Sequence, residues 1–226
     1  MNNLNEYDEV KFKSEFENSE LHQLISTDFE IIFWDKSLTN LYSLTPRQLR
    51  GERIFTMVPL YYLNKLLEAN PTKIYDICCG WNIFKKYIPN IIGIDVRKEY
   101  VDIQATINED YITSHKEYFE SAFSICSLHL YSLIHLEKNI KDFVSMIKRN
   151  GRGFLSLNLQ RMIERTSTEE SINLFGTSNP SDSQYDQYIR SVVEKIPCEY
   201  LIVDIDINEY RDDYLNGNIR LVFEKR

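Results

Sequence analysis

The sequence predicts an α/β fold whose sheet is mostly parallel and carries one antiparallel strand near the carboxyl terminus. From residue 72 onward, short apolar segments of strand composition alternate with longer segments of helical periodicity. The segment 73–78 reads as a buried strand that is followed by a break at Gly80, and a second strand ends at Asp95. Two final strand-like segments flank Asn216-Gly217, a typical hairpin turn.

Composition places the chain among ordinary globular proteins. It has 226 residues, of which 43% are hydrophobic and 27% charged, enough for one domain with a short extension. The formal net charge is -8, and the longest runs of Lys and Arg are pairs. Because an acidic field repels phosphate backbones, the sequence disfavours nucleic acid as a partner.

Cysteine usage and the amino terminus bear on location. The four cysteines form no CxxC pair, and no His or Cys cluster has the spacing of a metal site. Residues 1–11 are polar and acidic, unlike a signal peptide, and no apolar stretch approaches the roughly 20 residues that span a bilayer. We therefore expect a cytoplasmic protein with reduced thiols, no metal and no membrane contact.

The first 70 residues are predicted to form a helical extension to the domain 71–226. An apolar stripe indicates an amphipathic helix over 12–25. A second helix is predicted over 59–67, because Pro59 suits a first turn and Asn70-Pro71 ends the pattern.

The remaining elements follow in order. Apolar, β-branched segments predict strands over 73–78, 91–95, 101–107 (partly loop), 122–128, 152–158, 199–207 and 219–224. Helical periodicity and stop signals predict helices over 82–87, 136–148, 160–170 and 185–196. Asn150-Gly151 is taken as a helix stop, 116–119 as helix or turn, and 171–183 as loop.

The order of these elements and their motifs carries a family resemblance over about 72–226. Asp76 precedes a turn centred on Gly80, Asp95 ends the second strand, and Asn150-Gly151-Arg152-Gly153 precedes the fifth strand. In this arrangement the chain resembles the class I S-adenosylmethionine-dependent methyltransferases. The resemblance implies a seven-stranded Rossmann-like methyltransferase sheet with a C-terminal antiparallel strand pair. It also implies S-adenosyl-L-methionine as the cofactor.

The resemblance also implies a set of site residues. Asp95 would hold the ribose hydroxyls, Asp76 and Gly80 would lie at the methionine end, and Ile107 or Asn108 would meet the adenine. Further residues of the same turn and strand ends complete the predicted cofactor site, namely Cys78, Trp81, Val96 and Ser127. Ser127 and His129 would face the substrate where the fourth strand leaves the sheet, with His129 as a candidate general base.

The turn departs from the family pattern. The family commonly has three glycines there, whereas only Gly80 remains, with Cys78 and Asn82 at the other two positions. A Cβ at Cys78 narrows the approach to the methionine part of the cofactor, while asparagine tolerates a positive φ better than most residues. The fourth strand lacks Asp/Asn-Pro-Pro-Tyr, which argues against the usual amino methyltransferases of DNA.

Several of these residues have plainer explanations. Asp76 would then only anchor a buried turn through backbone N–H groups, and Trp81 would only pack on the following helix. Cys78 and Cys79 are better explained as small apolar residues of a buried strand than as a nucleophile or redox pair. His129 has an equal alternative as a histidine bonded to the backbone at a helix cap.

The sequence thus predicts an S-adenosylmethionine-dependent methyltransferase that acts on a small molecule or a protein. The alternative is a catalytically inactive methyltransferase-like fold that binds proteins as an inhibitor, immunity or scaffold module. The two replaced glycines favour this alternative, and the two retained aspartates, Asp76 and Asp95, oppose it. A nicotinamide-dependent enzyme fits less well, because the turn lacks G-x-G-x-x-G.

Overall fold

A computed structural model describes most of the α/β part of the chain. The described residues are 57–80, 82–86, 88–125, 131–207 and 218–226, together with Ser14 and Asn18. The predicted helix over 12–25 lies outside them apart from Ser14 and Asn18, and so does the hairpin turn at Asn216-Gly217. Trp81, Ser127 and His129 of the predicted site also lie outside the described residues.

The fold is built on one seven-stranded sheet with the strand order β3-β2-β1-β4-β5-β7-β6. Its strands are β1 (Ile74–Ile77), β2 (Ile91–Asp95), β3 (Ile103–Gln104), β4 (Phe119–Ile125), β5 (Ile147–Asn158), β6 (Glu199–Asp206) and β7 (Asn218–Glu224). Strands β1 to β5 pair in parallel, whereas β7 runs antiparallel to both β5 and β6. The predicted fold class, a mostly parallel seven-stranded sheet with an antiparallel C-terminal pair, is confirmed.

Helices cover both faces of this sheet. They are α1 (Met57–Leu67), α2 (Glu109–Ser114), α3 (Leu136–Met146), α4 (Leu159–Glu164), α5 (Thr168–Phe175) and α6 (Asp182–Glu194), with 3-10 turns at Ile83–Lys86 and Leu133–His135. On one face, α1 and the first 3-10 turn pack on the sheet, and Tyr62 stacks on Phe154 with 5.4 Å between ring centroids. On the other face, α3 and α6 bury their apolar stripes against the sheet.

Helix α1 is closely joined to the sheet. Tyr62, Leu63 and Leu66 are fully buried against apolar residues of the central strands. The division of the chain at residue 70 stays a prediction. Helix α1 runs back along the sheet from Tyr62, which contacts Asp204 near the end of β6, towards the start of β1.

Two predicted boundaries were wrong around Asn150-Gly151. Helix α3 ends at Met146 and β5 begins at Ile147, so this pair lies inside a strand and is not a helix stop. Asn150 adopts a φ of 61°, where the pairing of β4 with β5 is irregular, and its N–H donates to Lys225 O at 2.6 Å. Asn150 supplies the left-handed residue of a β-bulge. Because an asparagine with positive φ followed by glycine is also typical of a helix end, the sequence predicted a helix stop here.

The helices between β5 and β6, and the elements between β2 and β4, have other bounds than predicted. The predicted loop 171–183 contains most of α5, which begins with a capping box in which Ser167 and Glu170 bond each other's backbone N–H. This helix ends at Gly176 with a φ of 74°. The predicted third strand over 101–107 is reduced to Ile103–Gln104, and an additional helix, α2, precedes the segment 116–119. A turn at residues 115–117 agrees with the predicted helix or turn there, whereas Phe119 already begins β4.

Candidate functional site

The turn that follows β1 retains a left-handed backbone at three alternate positions. Cys78, Gly80 and Asn82 have φ values of 62°, 57° and 51°. Glycine adopts this region freely, whereas the Cβ of other residues makes it costly by roughly 1–2 kcal/mol. Two of the three left-handed positions of this turn therefore carry side chains.

Asp95, at the end of β2, holds this turn from the neighbouring strand. Its Oδ2 accepts the N–H of Gly80 at 2.9 Å and its Oδ1 accepts the N–H of Arg97 at 3.0 Å. The N–H of Cys79 also donates to Ile94 O at 3.0 Å. Since each carboxylate oxygen can accept more than one hydrogen bond, Asp95 retains acceptor capacity for ligand hydroxyls.

Asp76 lies one strand away and has a different environment. Its side chain is 4% exposed, and it accepts no hydrogen bond within the described part of the chain. Burial, followed by the nearby charge of Asp95, raises the pKa of Asp76 well above its ordinary value. The two carboxyl groups at the ends of adjacent strands thus lie in different environments: Asp95 is bonded by backbone N–H groups, whereas burial disfavours the charged form of Asp76.

The side chain of Asn82 fills the space that Gly93 leaves open on β2. A Cβ built on Gly93 would lie 2.5 Å from Asn82 Cγ, so the asparagine side chain occupies the space that a side chain on β2 would need. Asn82 is buried, and its Nδ2 donates to Asp102 Oδ2 at 3.2 Å. Because Gly93 has no side chain, β2 leaves room for the side chain of Asn82 in the turn. The short 3-10 helix therefore still packs closely on the sheet.

Sequence reasoning missed Asp102, which fastens this helix to β2. Its carboxylate accepts hydrogen bonds from Lys85 Nζ and from the N–H of Gly93, the latter at 2.8 Å, besides that from Asn82. Burial acts to raise the pKa of Asp102, but the bonds from Lys85 and Gly93 outweigh it and lower the pKa overall. Nothing in the sequence marks this residue, which lies in the segment predicted as a weak third strand.

The residues predicted at the adenine end differ in accessibility. Val96, directly after Asp95, exposes 62% of its surface, and Ile107 is half-buried against the core. Asn108 caps helix α2, because its Oδ1 accepts the N–H of Tyr111 at 2.9 Å. The loop stays close to the site, since the N–H of Ala105 donates to Asp95 O at 2.9 Å.

The two adjacent cysteines are protonated at neutral pH. Burial, together with the charges of Asp76 and Asp95, raises the pKa of both the Cys78 and the Cys79 thiol to about 12. A thiolate is the nucleophilic form of cysteine, so this environment favours packing over catalysis for both residues.

The substrate side is predicted where β4 ends, and the predicted residues Ser127 and His129 lie outside the described residues. After the segment that is not described, Leu133 is fixed by hydrogen bonds to two other parts of the chain. The N–H of Leu133 donates to Thr166 Oγ1 at 3.0 Å, and its carbonyl accepts from Tyr188 Oη at 3.1 Å. Both backbone polar groups of Leu133 are thus bonded, the N–H by the turn after α4 and the carbonyl by α6, which fixes Leu133 against these two elements.

The residues at the carboxyl ends of β1 and β2 fit an adenosyl ligand. A Cβ on Gly80 would meet no atom within 4 Å, so open space adjoins the turn. Asp95 offers acceptors for hydroxyls, Val96 an exposed apolar surface for a ring, and Asp76 a buried carboxyl with no protein partner among the described residues.

Among the described residues, no group of three or more His, Cys, Asp or Glu side chains is placed to hold a metal ion. No helix in the described ranges is both long and apolar enough to cross a membrane.

Comparisons with known proteins concern the fold. No family model matches the chain, and no curated protein matches its sequence. Similar solved structures include a TehB-like SAM-dependent methyltransferase from Corynebacterium glutamicum, at 12% identity over 85% of this chain and 100% of that chain, with a TM-score of 0.44.

Two further solved structures have a similar identity, coverage and TM-score. A SAM-dependent methyltransferase from Archaeoglobus fulgidus is 13% identical over 80% of this chain and 100% of that chain, with a TM-score of 0.41. A possible histamine N-methyltransferase from Thermotoga maritima is 13% identical over 83% of this chain and 98% of that chain, also with a TM-score of 0.41. Because one fold serves many functions, the function must be argued from the residues of the site.

Proposed function

We propose that this protein is an S-adenosylmethionine-dependent methyltransferase. The observation that carries the proposal is the turn after β1, which is left-handed at Cys78, Gly80 and Asn82 and is bonded through Gly80 to Asp95. The turn and the Asp95 carboxylate thus lie side by side at the carboxyl ends of adjacent parallel strands, which supports a site for a ligand with hydroxyl groups. Ligands of open α/β sheets bind at that edge.

The residues of the site divide by the part of the cofactor that each would meet. Asp95 would accept hydrogen bonds from the ribose hydroxyls, and Gly80 with Asp76 would lie at the methionine end. Val96 and Ile107 would flank the adenine, with Asn108 holding the start of α2. Cys78, Trp81 and Ser127 complete the proposed cofactor-binding set.

The chemistry of the bound cofactor is an electrophilic methyl group on a positively charged sulfur. The protein's part is to orient the acceptor for in-line attack and to exclude water, since alignment supplies most of the rate in such transfers. Ser127 and His129, on the segment after β4, are proposed to face the acceptor, and His129 to take its proton. The net charge of -8 favours a small molecule or a protein over nucleic acid as the acceptor.

Calorimetric titration with S-adenosylmethionine and with S-adenosylhomocysteine tests the proposal. We expect both ligands to bind the unmodified protein. Asp95→Ala should abolish binding, whereas Glu99→Ala, which removes an exposed carboxylate four residues away, should leave it unchanged.

Circular dichroism should accompany the titrations, because Asp95 also bonds the N–H of Gly80. Absence of binding up to millimolar concentration would refute the enzyme proposal and favour the inactive protein-binding alternative. Unchanged binding in a folded Asp95→Ala protein would show that the ligand lies elsewhere.

A further inference from the structure

Side chains join the turn after β1 to β2 at two points. At the first, the N–H of Gly80 donates to Asp95 Oδ2 at 2.9 Å. At the second, Asp102 Oδ2 accepts both Asn82 Nδ2 at 3.2 Å and the N–H of Gly93 at 2.8 Å. The two points are only two residues apart on the turn and on β2, and planar peptides leave so short a chain little slack. A shift at one point is therefore expected to displace the other.

The loop that carries Asp102 is fixed to β2 by its backbone. The N–H of Asp102 donates to Gly93 O at 2.9 Å, and the N–H of Ala105 donates to Asp95 O at 2.9 Å. A substitution of the Asp102 side chain leaves both of these bonds intact. Loss of the carboxylate should therefore affect the turn while the loop stays in place.

The two oxygens of Asp102 have different partners. Oδ1 faces Lys85, in an ion pair whose side chains are 39% and 31% exposed, and such surface pairs contribute about 0–1 kcal/mol. Oδ2 faces the N–H of Gly93 and Asn82, whose side chain is buried. Because a buried amide needs a hydrogen-bond partner, the acceptor at Oδ2 should matter more than the charge.

We propose that Asp102 is a positioning residue of the proposed cofactor site, whose Oδ2 holds Asn82 over Gly93 and thereby keeps the N–H of Gly80 on Asp95. The side chain of Asn82 occupies the space above Gly93, so its amide must keep one orientation for the turn to keep its path. This inference rests on the proposed function, which supplies the ligands for one part of its test.

Two substitutions of similar shape separate the acceptor from the charge. Asp102→Leu removes both oxygens, whereas Asp102→Asn keeps one oxygen for Asn82 and Gly93 and loses the charge that pairs with Lys85. Amide hydrogen exchange of the ligand-free protein, followed by NMR, measures the effect on the turn. The N–H of Gly80 should exchange about tenfold faster in Asp102→Leu and within about twofold of the unmodified rate in Asp102→Asn. The N–H of Ala105 should remain equally protected in both variants.

Calorimetric titration with S-adenosylmethionine and S-adenosylhomocysteine gives the second readout. Asp102→Leu should bind both ligands about tenfold more weakly, which corresponds to the loss of one or two hydrogen bonds to a charged group. Asp102→Asn should bind them nearly as the unmodified protein does. Lys85→Met, which removes only the exposed ion pair, should change neither the affinity nor the exchange of Gly80.

The exchange rates by themselves decide the inference. An unchanged rate for Gly80 in Asp102→Leu would overturn it, and so would equal acceleration in the Leu and Asn variants. If Asp102→Leu does not fold, Asn82→Ala breaks the same bond from its other end and should also accelerate the exchange of Gly80; an unchanged rate there would contradict the inference equally. Failure of both ligands to bind the unmodified protein would instead refute the proposed function.

Discussion

Cys78 lies at a φ of 62°, where a Cβ is unfavourable, yet its side chain is half-buried and packs on the core. At this residue the packing of the side chain stabilises the fold, whereas the left-handed backbone conformation destabilises it. Asn82 meets the same constraint at lower cost, since asparagine tolerates the left-handed region, and it gains a hydrogen bond to Asp102. The two replaced glycines thus have different consequences for the turn.

Paired substitutions isolate the backbone contribution at Cys78. Cys78→Gly should be more stable than Cys78→Ala by about 1 kcal/mol, because loss of the Cβ relieves the left-handed conformation by more than the added freedom of the unfolded chain costs. At Cys79, whose φ is not positive, the order should reverse by about 0.5–1 kcal/mol. Urea denaturation of the four variants measures both differences, and the same order at both positions would contradict this explanation.

Asp76 predicts a pH dependence of stability in the absence of any ligand. Its pKa is raised in the folded protein, so above the ordinary value of 3.8 the unfolded chain loses this proton while the folded protein keeps it. Stability should therefore fall as pH rises from about 4 towards the raised pKa, by at most about 1.4 kcal/mol per unit from this group.

Asp76→Asn removes this contribution. Relative to the unmodified protein, the variant should gain stability progressively as pH increases, as measured by urea denaturation across a pH series. Parallel stability curves for the two proteins would show that Asp76 ionises equally in the folded and unfolded states.

At the scale of elements, the site depends on how the 3-10 turn Ile83–Lys86 meets the sheet. Phe84 packs edge-on against Phe123 of β4, with 5.7 Å between ring centroids, and Lys85 pairs with Asp102. Asn82 at the start of this turn fills the space above Gly93. This 3-10 turn is short, but it contacts β4 and β2 and is bonded to the loop before β3.

The pair Asn82 and Gly93 should show strong coupling in a double-mutant cycle. Gly93→Ala alone should cost about 1–3 kcal/mol, because its Cβ would lie 2.5 Å from Asn82 Cγ in a packed interior. In an Asn82→Gly background the same substitution should cost much less. Denaturant unfolding of the four proteins gives the coupling energy, and additive effects would mean that the asparagine side chain moves aside freely.

At the scale of the whole molecule, a buried ion pair joins the C-terminal hairpin to α1. Arg220 on β7 bonds Asp204 on β6 at 2.6 Å, and Tyr62 of α1 donates to the same carboxylate oxygen. The side chains of Arg220 and Asp204 are only 8% and 12% exposed, so they are screened little by solvent. This cluster connects the helix that precedes β1 to the far side of the sheet.

Breaking the pair on one side should destabilise the fold strongly. Arg220→Met is expected to cost about 3–5 kcal/mol, because it leaves Asp204 buried and charged without its cation. Tyr62→Phe should cost about 1.5–3 kcal/mol, since it removes one bond to a carboxylate that remains paired. Urea denaturation measures both losses.

The double variant Arg220→Met/Asp204→Leu provides the control. It should lose less stability than Arg220→Met alone, because no buried charge is left unpaired. A double variant that is less stable than the single one would show that the contribution of this cluster comes from shape and not from charge.

The sequence by itself determined the class of sheet and the positions of Asp76, Gly80 and Asp95 at the ends of two adjacent strands. It could do so because strand periodicity and turn chemistry are local properties of the chain. It misassigned Asn150-Gly151, since a left-handed asparagine followed by glycine serves equally in a bulge and at a helix end.

Only the tertiary structure decided what each site residue meets. The fit of Asn82 over Gly93, the three bonds to Asp102 and the bond from Gly80 to Asp95 join residues that are 9 to 20 positions apart in the chain. No local pattern encodes such contacts, because they arise from the volume and polarity that the folded sheet leaves between its strands. The raised pKa of Asp76 belongs to the same class, since it follows from burial and from a charge on another strand.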